Sequence, residues 1–164
     1  MPRDVRGIEQ IIFTGDDLGR VTGFMARLAK AEEGWINVLA HTSDDDEQPT
    51  SLGFFKLLGG GSIGLTMCTW VPGTRSRRGP VPPGVGISHL VGRRAAALLY
   101  SLSIPVPEGW VIEQDHPRRG LVLRLPAEES HEHILVWSLR AVAALSPPGP
   151  IGRWRADVYL PLKA

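Results

Sequence analysis

The pattern Glu-Gly-Trp, followed six residues after the Trp by a His, occurs twice in this chain of 164 residues. The copies place Trp35 with His41 and Trp110 with His116, and a Gly-Arg pair with a mainly apolar segment stands upstream of each. Gly can adopt the left-handed backbone that ends a helix or a turn. Gly34 is therefore expected to end a helix, whereas the second copy follows Pro105 and Pro107 and cannot cap a helix in the same way. Each copy predicts a strand that opens directly after the Gly and that a Trp anchors in the core. The repeat also raises the hypothesis that residues 1–72 and 87–164 are two related halves of one domain.

The spacing of apolar residues divides the chain into six predicted strands and three predicted helices. The strands cover residues 8–13, 35–41, 63–71, 110–115, 121–125 and 154–160, and the helices cover residues 18–33, 88–102 and 126–145. Strands mostly follow strands, and three helices are too few to cover both faces of a parallel sheet. We therefore expect a single α+β domain, with a mainly antiparallel or mixed sheet and about three helices on one face. The first six elements match the order of a ferredoxin-like split βαβ core.

The helices have recognisable starts and faces. Asp16 or Asp17 is placed to cap the first helix and Ser88 the second, because short polar side chains accept hydrogen bonds from free helix amides. The third helix should bury one side against the sheet. Its apolar stripe consists of Ile134, Trp137, Ala141, Val142 and Leu145.

A Pro/Gly/Arg-rich connection joins the two halves. Residues 73–86 hold three prolines, four glycines and three arginines. Pro lacks the N–H that strand pairing uses, and Gly weakens regular structure. We therefore predict that residues 73–84 have little regular backbone pairing and are the most mobile internal segment. Arg75, Arg77 and Arg78 in this connection are candidates for binding an anion or nucleic acid.

Composition restricts location and partners. The apolar fraction of 43% and the charged fraction of 21% are typical of soluble globular proteins. Cys68 is the single cysteine, which excludes an internal disulfide and suits a reducing compartment. No secretory signal is recognisable, and no apolar run approaches the ~20 residues that span a bilayer. The net charge of +1 gives no overall attraction to nucleic acid or anionic membrane. We expect a cytoplasmic protein that does not bind a membrane. Binding of nucleic acid is disfavoured, and the sequence leaves open whether the chain forms a homo-oligomer such as a homodimer.

One segment resembles a hydrolase motif. Residues 60–64, Gly-Gly-Ser-Ile-Gly, fit the nucleophile elbow of serine hydrolases, and Asp115 and His116 follow in the hydrolase order. The elbow requires a helix directly after the Ser, to support the oxyanion. The residues after Ser62 instead have the composition of a strand, and adjacent residues such as Asp115 and His116 point to opposite faces of a strand. These features disfavour Ser62 as a nucleophile.

No metal or cofactor site is predicted. His131 and His133 lie two positions apart at the start of the third helix, and ligands on a helix converge at three or four positions apart. The acidic run at residues 44–47 lacks the alternating spacing and the central Gly of a calcium loop. No Lys-Ser or Lys-Thr pair follows the glycines at residues 59–61, as a P-loop would need.

None of these candidate groups of residues has the spacing and the neighbouring elements that its proposed chemistry requires. This favours a small cytoplasmic, non-catalytic binding or adaptor module with an unidentified protein or small-molecule partner. Two alternatives stay open: a serine hydrolase-like enzyme that uses Ser62, and an anion or nucleic-acid binder that uses Arg75, Arg77 and Arg78. The hydrolase alternative requires Ser62 to lie within hydrogen-bonding distance of a His. The anion-binding alternative requires a positive electrostatic potential around the three arginines.

Overall fold

The computed structural model describes residues 7–41, 66–147 and 151–160, which contain nine strands and three helices. The strands are β1 (Gly7–Phe13), β2 (Trp35–Ala40), β3 (Met67–Val71), β4 (Thr74–Ser76), β5 (Gly79–Val81), β6 (Gly84–Ser88), β7 (Val111–His116), β8 (Gly120–Arg124) and β9 (Trp154–Leu160). The helices are α1 (Gly19–Ala31), α2 (Ala95–Ser101) and α3 (His131–Leu145). Residues 44–47, 52–58 and 59–64, and with them Ser62, lie outside the described residues.

Seven strands form one sheet in the order β1-β9-β2-β3-β6-β8-β7, and each neighbouring pair is antiparallel. Strands β4 and β5 pair separately. Helix α3 contacts both α1 and α2, so the three helices form one layer on a single face of the sheet, here called the helix face. Alternate strand residues such as Ile11, Val38 and Ile87 bury their side chains under this layer. The predicted α+β architecture is confirmed.

Two split β-α-β units share the sheet. In the first unit β1 and β2 are parallel with β9 between them, and in the second β6 and β7 are parallel with β8 between them. Helices α1 and α2 make the two crossovers. Both Glu-Gly-Trp copies occupy the start of the second parallel strand, where Gly34 and Gly109 have φ angles of 89° and 86°. The repeat therefore marks the same position in both units, directly before the second parallel strand, and a shared origin of the two halves stays a hypothesis.

Gly34 lies where no side chain fits. A Cβ atom at this position would overlap the main-chain oxygen of Tyr159 and lie 2.9 Å from Leu28 Cδ2. The tight turn brings Trp35 into β2, where its ring stacks on that of Tyr159 with centroids 4.6 Å apart. Trp35 is partly buried, whereas Trp110 is 6% exposed and belongs to the core.

The predicted irregular connection is regular. Strands β4 and β5 form a hairpin closed by a turn at Arg77 and Arg78, and the hydroxyl of Ser76 donates to the carbonyl of Gly79 at 2.8 Å. Strand β6 then pairs on both sides, with β3 and β8. The prediction that residues 73–84 have little regular backbone pairing is therefore wrong. A Pro fits in β5 because this strand belongs to a hairpin of two strands, where an outward position needs no N–H.

The first two helices start differently from the prediction. Helix α1 follows Leu18 without a capping side chain, so neither Asp16 nor Asp17 serves as its cap. Ser88 ends β6, and α2 begins only at Ala95. Its cap comes from across the fold: the Asp115 carboxylate on β7 accepts hydrogen bonds from the amides of Ala95 and Ala96 at 2.8 and 3.3 Å.

Helix α3 starts five residues later than the predicted residue 126, because residues 126–130 form a turn and a cap before it, but its buried face matches the prediction. It begins at His131 after Ser130, whose hydroxyl accepts the amide of His133 at 3.3 Å. The predicted apolar stripe is buried in full. Because α3 lies between α1 and α2, its N-terminal end is held in a fixed place beside the sheet.

Candidate ligand-binding groove

An open groove with a volume of about 510 Å³ lies at the end of the sheet where β3 ends and β6 begins. The β4–β5 hairpin, the end of α1 and the start of α3 enclose it. Its apolar lining consists of Ala29, Trp70, Pro80, Val81, Pro82, Pro83, Ala127 and Ile134. Its polar lining consists of Glu32, Thr74, Arg75, Glu129 and His131, with Gly73 beside them. This volume is within the ~300–1,000 Å³ of typical small-molecule sites.

An ion pair ties the hairpin to α1. Arg75 Nε lies 3.1 Å from Glu32 Oε1, and the Arg75 side chain is 87% exposed. An ion pair this exposed contributes about 0–1 kcal/mol to stability. The pair therefore orients the hairpin without locking it. It also places a carboxylate beside one of the three arginines that the sequence suggested as an anion site.

Trp70 and His131 meet edge to face in the groove wall. Their ring centroids are 5.7 Å apart and their planes cross at 76°. Trp70 is 4% exposed, and its indole N–H has no acceptor among the described residues. A buried donor without a partner costs about 1–3 kcal/mol. Burial lowers the pKa of His131, so that its imidazole is neutral at pH 7.

Glu129 lines the groove just before the start of α3, where three hydrogen bonds hold its carboxylate. Its Oε2 accepts the indole N–H of Trp110 at 2.8 Å. Its Oε1 lies 2.8 Å from Nδ1 of His133 and accepts the amide of Ser130 at 3.1 Å. The hydrogen bond from Trp110, and next that from His133, hold the pKa of Glu129 below its usual value. The carboxylate is therefore ionised at neutral pH, at a helix end that favours negative charge.

The charged side chains that line the groove carry more negative than positive charge. Two carboxylates, Glu32 and Glu129, face one guanidinium, that of Arg75. Because Arg75 is paired with Glu32, the charge that remains is negative. The described lining contains a Thr hydroxyl but no Ser or Cys. Apolar walls with a few converging polar groups suit reversible binding of a small ligand.

The side chains of Asp115 and His116 accept hydrogen bonds from backbone amides. Asp115 caps α2, and His116 Nδ1 accepts the amides of Arg118 and Arg119 at 3.1 Å each. Neither side chain orients the other, as an Asp–His pair in a triad would require. Ser62 is outside the described residues, so its distance to a His stays a prediction.

The two histidines of α3 diverge. His131 contacts Trp70, whereas His133 contacts Glu129 and Trp110. Within the described part of the chain, no three His, Cys, Asp or Glu side chains are grouped so that they could hold a metal ion.

Four other arginines lie on two neighbouring segments at the opposite end of the sheet. Arg93 and Arg94 directly precede α2, and Arg118 and Arg119 form the turn between β7 and β8. The first amides of α2, those of Ala95 and Ala96, donate hydrogen bonds to the Asp115 carboxylate on β7, so these two segments are neighbours. All four arginines are exposed. The two Arg-Arg pairs are visible in the sequence as candidates for an anion patch, but their spacing does not show that they are neighbours, because a contact across the fold joins their segments.

The second face of the sheet, opposite the helices, buries a polar cluster that sequence reasoning also missed. Arg155 and Asp157 on β9 are 3% and 0% exposed, and Nη2 lies 3.2 Å from Oδ2. Gln10 donates to Asp157 at 3.5 Å, and Thr69 donates to Asn37 at 2.7 Å. Burial raises the pKa of Asp157 although Arg155 opposes this shift. The cluster lies on the other side of the sheet from the groove and does not line it.

No helix of the described ranges 7–41, 66–147 and 151–160 is long and apolar enough to cross a membrane. Comparison of the chain with protein-family models, with curated proteins and with solved structures gives no match. The groove and the surface charges are therefore the grounds for a functional proposal.

Proposed function

We propose that this protein is a non-catalytic binding module whose groove takes a small, mainly apolar ligand with a neutral or cationic polar end. The observation that carries the proposal is the Trp70–His131 contact in the wall of a groove of about 510 Å³. The Pro-rich hairpin, together with Ala29 and Ala127, provides apolar surface for the body of the ligand, and the nearly buried Trp70 lies behind this surface. The neutral imidazole provides a hydrogen-bonding group beside them.

The sign of the ligand charge follows from Glu129. This carboxylate is ionised, and the hydrogen bonds from Trp110 and His133 hold it in place. In a partly desolvated groove a fixed anion attracts a cation and repels a second anion. A planar aromatic cation fits both the apolar walls and this charge. An adaptor that binds a protein partner would use the same groove for an aromatic or basic side chain of that partner.

Titration with benzamidine, followed by ¹H–¹⁵N NMR, tests the proposal, with benzoate as the probe of equal shape and opposite charge. Benzamidine should shift the indole N–H resonance of Trp70, which Trp70→Phe identifies, together with amides of residues 127–134. Benzoate should shift them much less. Ala127→Trp, which fills the mouth of the groove, should abolish the shifts, and Ala143→Trp on the exposed side of α3 should preserve them. Equal responses of the two variants, or no saturable shift, would refute the proposal.

A second candidate function is the binding of a phosphate backbone by the four-arginine cluster. The observation in its favour is the cap from Asp115, which places Arg93, Arg94, Arg118 and Arg119 on one surface. Guanidinium groups bind phosphate in a bidentate manner, and affinity then falls steeply with salt. Of the two arginine sets, this cluster fits an anion better, because Arg75 is paired with Glu32.

Fluorescence anisotropy with a labelled single-stranded oligonucleotide tests this candidate. The double variant Arg118→Ala with Arg119→Ala should weaken binding and lower the salt dependence. The double variant Arg77→Ala with Arg78→Ala removes the same charge from another exposed turn and should change binding little. If both double variants lose binding equally, net charge alone explains the affinity and the cluster has no special role.

A further inference from the structure

Strand β1 is an outer strand of the seven-stranded sheet, and among the described strands its hydrogen-bonded neighbour is β9. Seven consecutive residue pairs join the two strands without a shift of register. Outer strands are usually protected from further pairing by Pro, Lys, a bulge or short length. Within its bounds β1 has none of these features, and its one charged residue, Glu9, is paired with Arg20 at 3.3 Å.

The other outer strand, β7, is protected. Its register with β8 shifts between Ile112 and Gln114, so the strand carries a bulge-like irregularity. Glu113 at this irregularity lies 3.6 Å from Arg124. The irregular register hinders the addition of another strand, whereas the ion pair of Glu113 has a counterpart in that of Glu9 and does not distinguish the two edges. The two edges of the sheet therefore differ, and β1 is the one suited to pairing.

The exposed side of β1 is complementary to itself. Ile8 and Ile12 are 44% and 42% exposed and lie on the second face of the sheet, with Gln10 between them. An antiparallel copy of β1 centred on Gln10 would place Ile8 opposite Ile12 twice and Gln10 opposite its own copy. Neighbouring side chains across paired strands stabilise each other, and like charges destabilise. In this register the exposed side brings apolar residues together and opposes no charges.

We propose that two copies of this chain pair antiparallel through β1, centred on Gln10, so that the sheet continues from one copy into the other. A second copy is the partner that supplies the matching Ile-x-Gln-x-Ile pattern in the required direction. The twofold axis is then perpendicular to the sheet, because side chains of the same face lie opposite each other. Both helix layers, and both grooves, lie on the same side of the joined sheet. The dimer does not depend on the ligand proposed for the groove.

Disulfide trapping tests the register. Directly opposed residues of antiparallel strands have Cα atoms about 4.5–5.5 Å apart, within the ~4.4–6.8 Å that a disulfide spans. Gln10→Cys should therefore form a covalent dimer on mild oxidation. Ile8→Cys lies on the same strand and face, but in this register its copy is ~13 Å away. Alone it should form no covalent dimer, and it should cross-link when mixed with Ile12→Cys. The native thiol of Cys68 is buried, and burial raises its pKa to about 12, so it does not compete.

Sedimentation of the uncrosslinked protein completes the test. The wild-type chain should sediment as a dimer, and Ile8→Lys, which lies opposite Tyr159 of β9 and not opposite a cation, should shift it to monomer while its circular dichroism and thermal melting at low concentration stay native-like. Ile112→Lys on β7, at an equally exposed position, should leave the dimer intact. A monomeric wild-type chain would overturn the proposal. So would a dimer that Ile8→Lys does not weaken, or trapping by Ile8→Cys as efficient as by Gln10→Cys.

Discussion

Replacing Trp110 by Ala should remove about 4–5 kcal/mol of unfolding free energy. Trp110 is 6% exposed, and its ring packs edge to face on Trp137 with centroids 5.1 Å apart. Truncation of a buried Trp costs about 3–5 kcal/mol, through lost burial and the cavity that remains. The upper part of that range applies here because Glu129 also loses the indole N–H that it accepts at 2.8 Å. Domains of this size have about 5–15 kcal/mol in total, so the loss is a large fraction.

Urea denaturation at neutral pH measures this loss, and Trp110→Phe separates its two parts. Phe keeps an aromatic ring in the core but cannot donate to Glu129, so this variant should lose about 1.5–2 kcal/mol, near the lower end for a hydrogen bond to a charged group. The pKa of Glu129, followed by NMR, should rise in Trp110→Phe, because the hydrogen bond from Trp110 is the main cause of its low value. Tyr100→Ala is the control at a 75% exposed aromatic position and should change stability by less than ~0.5 kcal/mol. A Trp110→Ala midpoint within error of wild type would refute the reasoning.

Three further predictions follow from particular contacts. Gly34→Ala should fold poorly or lose several kcal/mol, because its Cβ would meet the Tyr159 carbonyl and the Leu28 side chain, while Gly79→Ala, with open space around it, should lose much less by the same denaturation assay. Burial lowers the pKa of His89 and of His131 from the usual 6.5, so near this pH the unfolded chain binds more protons than the folded chain. The free energy of unfolding should therefore fall as the pH drops through about 6.5. His89→Leu should lessen this fall, and an equal slope in both proteins would contradict the assignment. A serine-directed fluorophosphonate should leave the protein unlabelled, since Asp115 and His116 are bound to backbone amides, and labelling that Ser62→Ala abolishes would restore the hydrolase hypothesis.

Periodicity predicted what depends on local pattern. The stripe of α3 follows helical spacing, and its residues are buried because that side alone meets the sheet. The same reasoning placed β1, β2, β8 and β9 within a few residues of their observed bounds. These elements carry continuous apolar or alternating residues without internal Pro or Gly, so local preference and tertiary structure agree.

The sequence failed where the fold overrides local preference. Gly84 and Gly86 suggested a break, but they belong to β6, where pairing on both sides with β3 and β8 supplies the order that Gly lacks. Pro80 suggested a loop, but it lies in a hairpin that needs few backbone donors. The cap of α2 by Asp115 joins residues twenty positions apart, and no rule for adjacent residues detects it.

Most of the candidate groove could not be predicted from the sequence, because contacts between distant parts of the chain create it. The sequence places His131 near the start of the third helix and Trp70 in a strand, but their contact depends on α3 packing beside the end of β3. The hydrogen bonds that link Glu129 to Trp110 and His133 also arise only in the folded chain, and they fix the charge of the groove.

A crystal structure determined after soaking with benzamidine tests the binding proposal most directly. We predict electron density for the ring against Trp70 and His131 between the hairpin and α3, with the amidinium directed to Glu129. Crystals of Ala127→Trp soaked in parallel should show no density there, and those of Ala143→Trp should match wild type. A groove without benzamidine at concentrations that saturate the NMR shifts, with the ring bound elsewhere, would contradict the proposal.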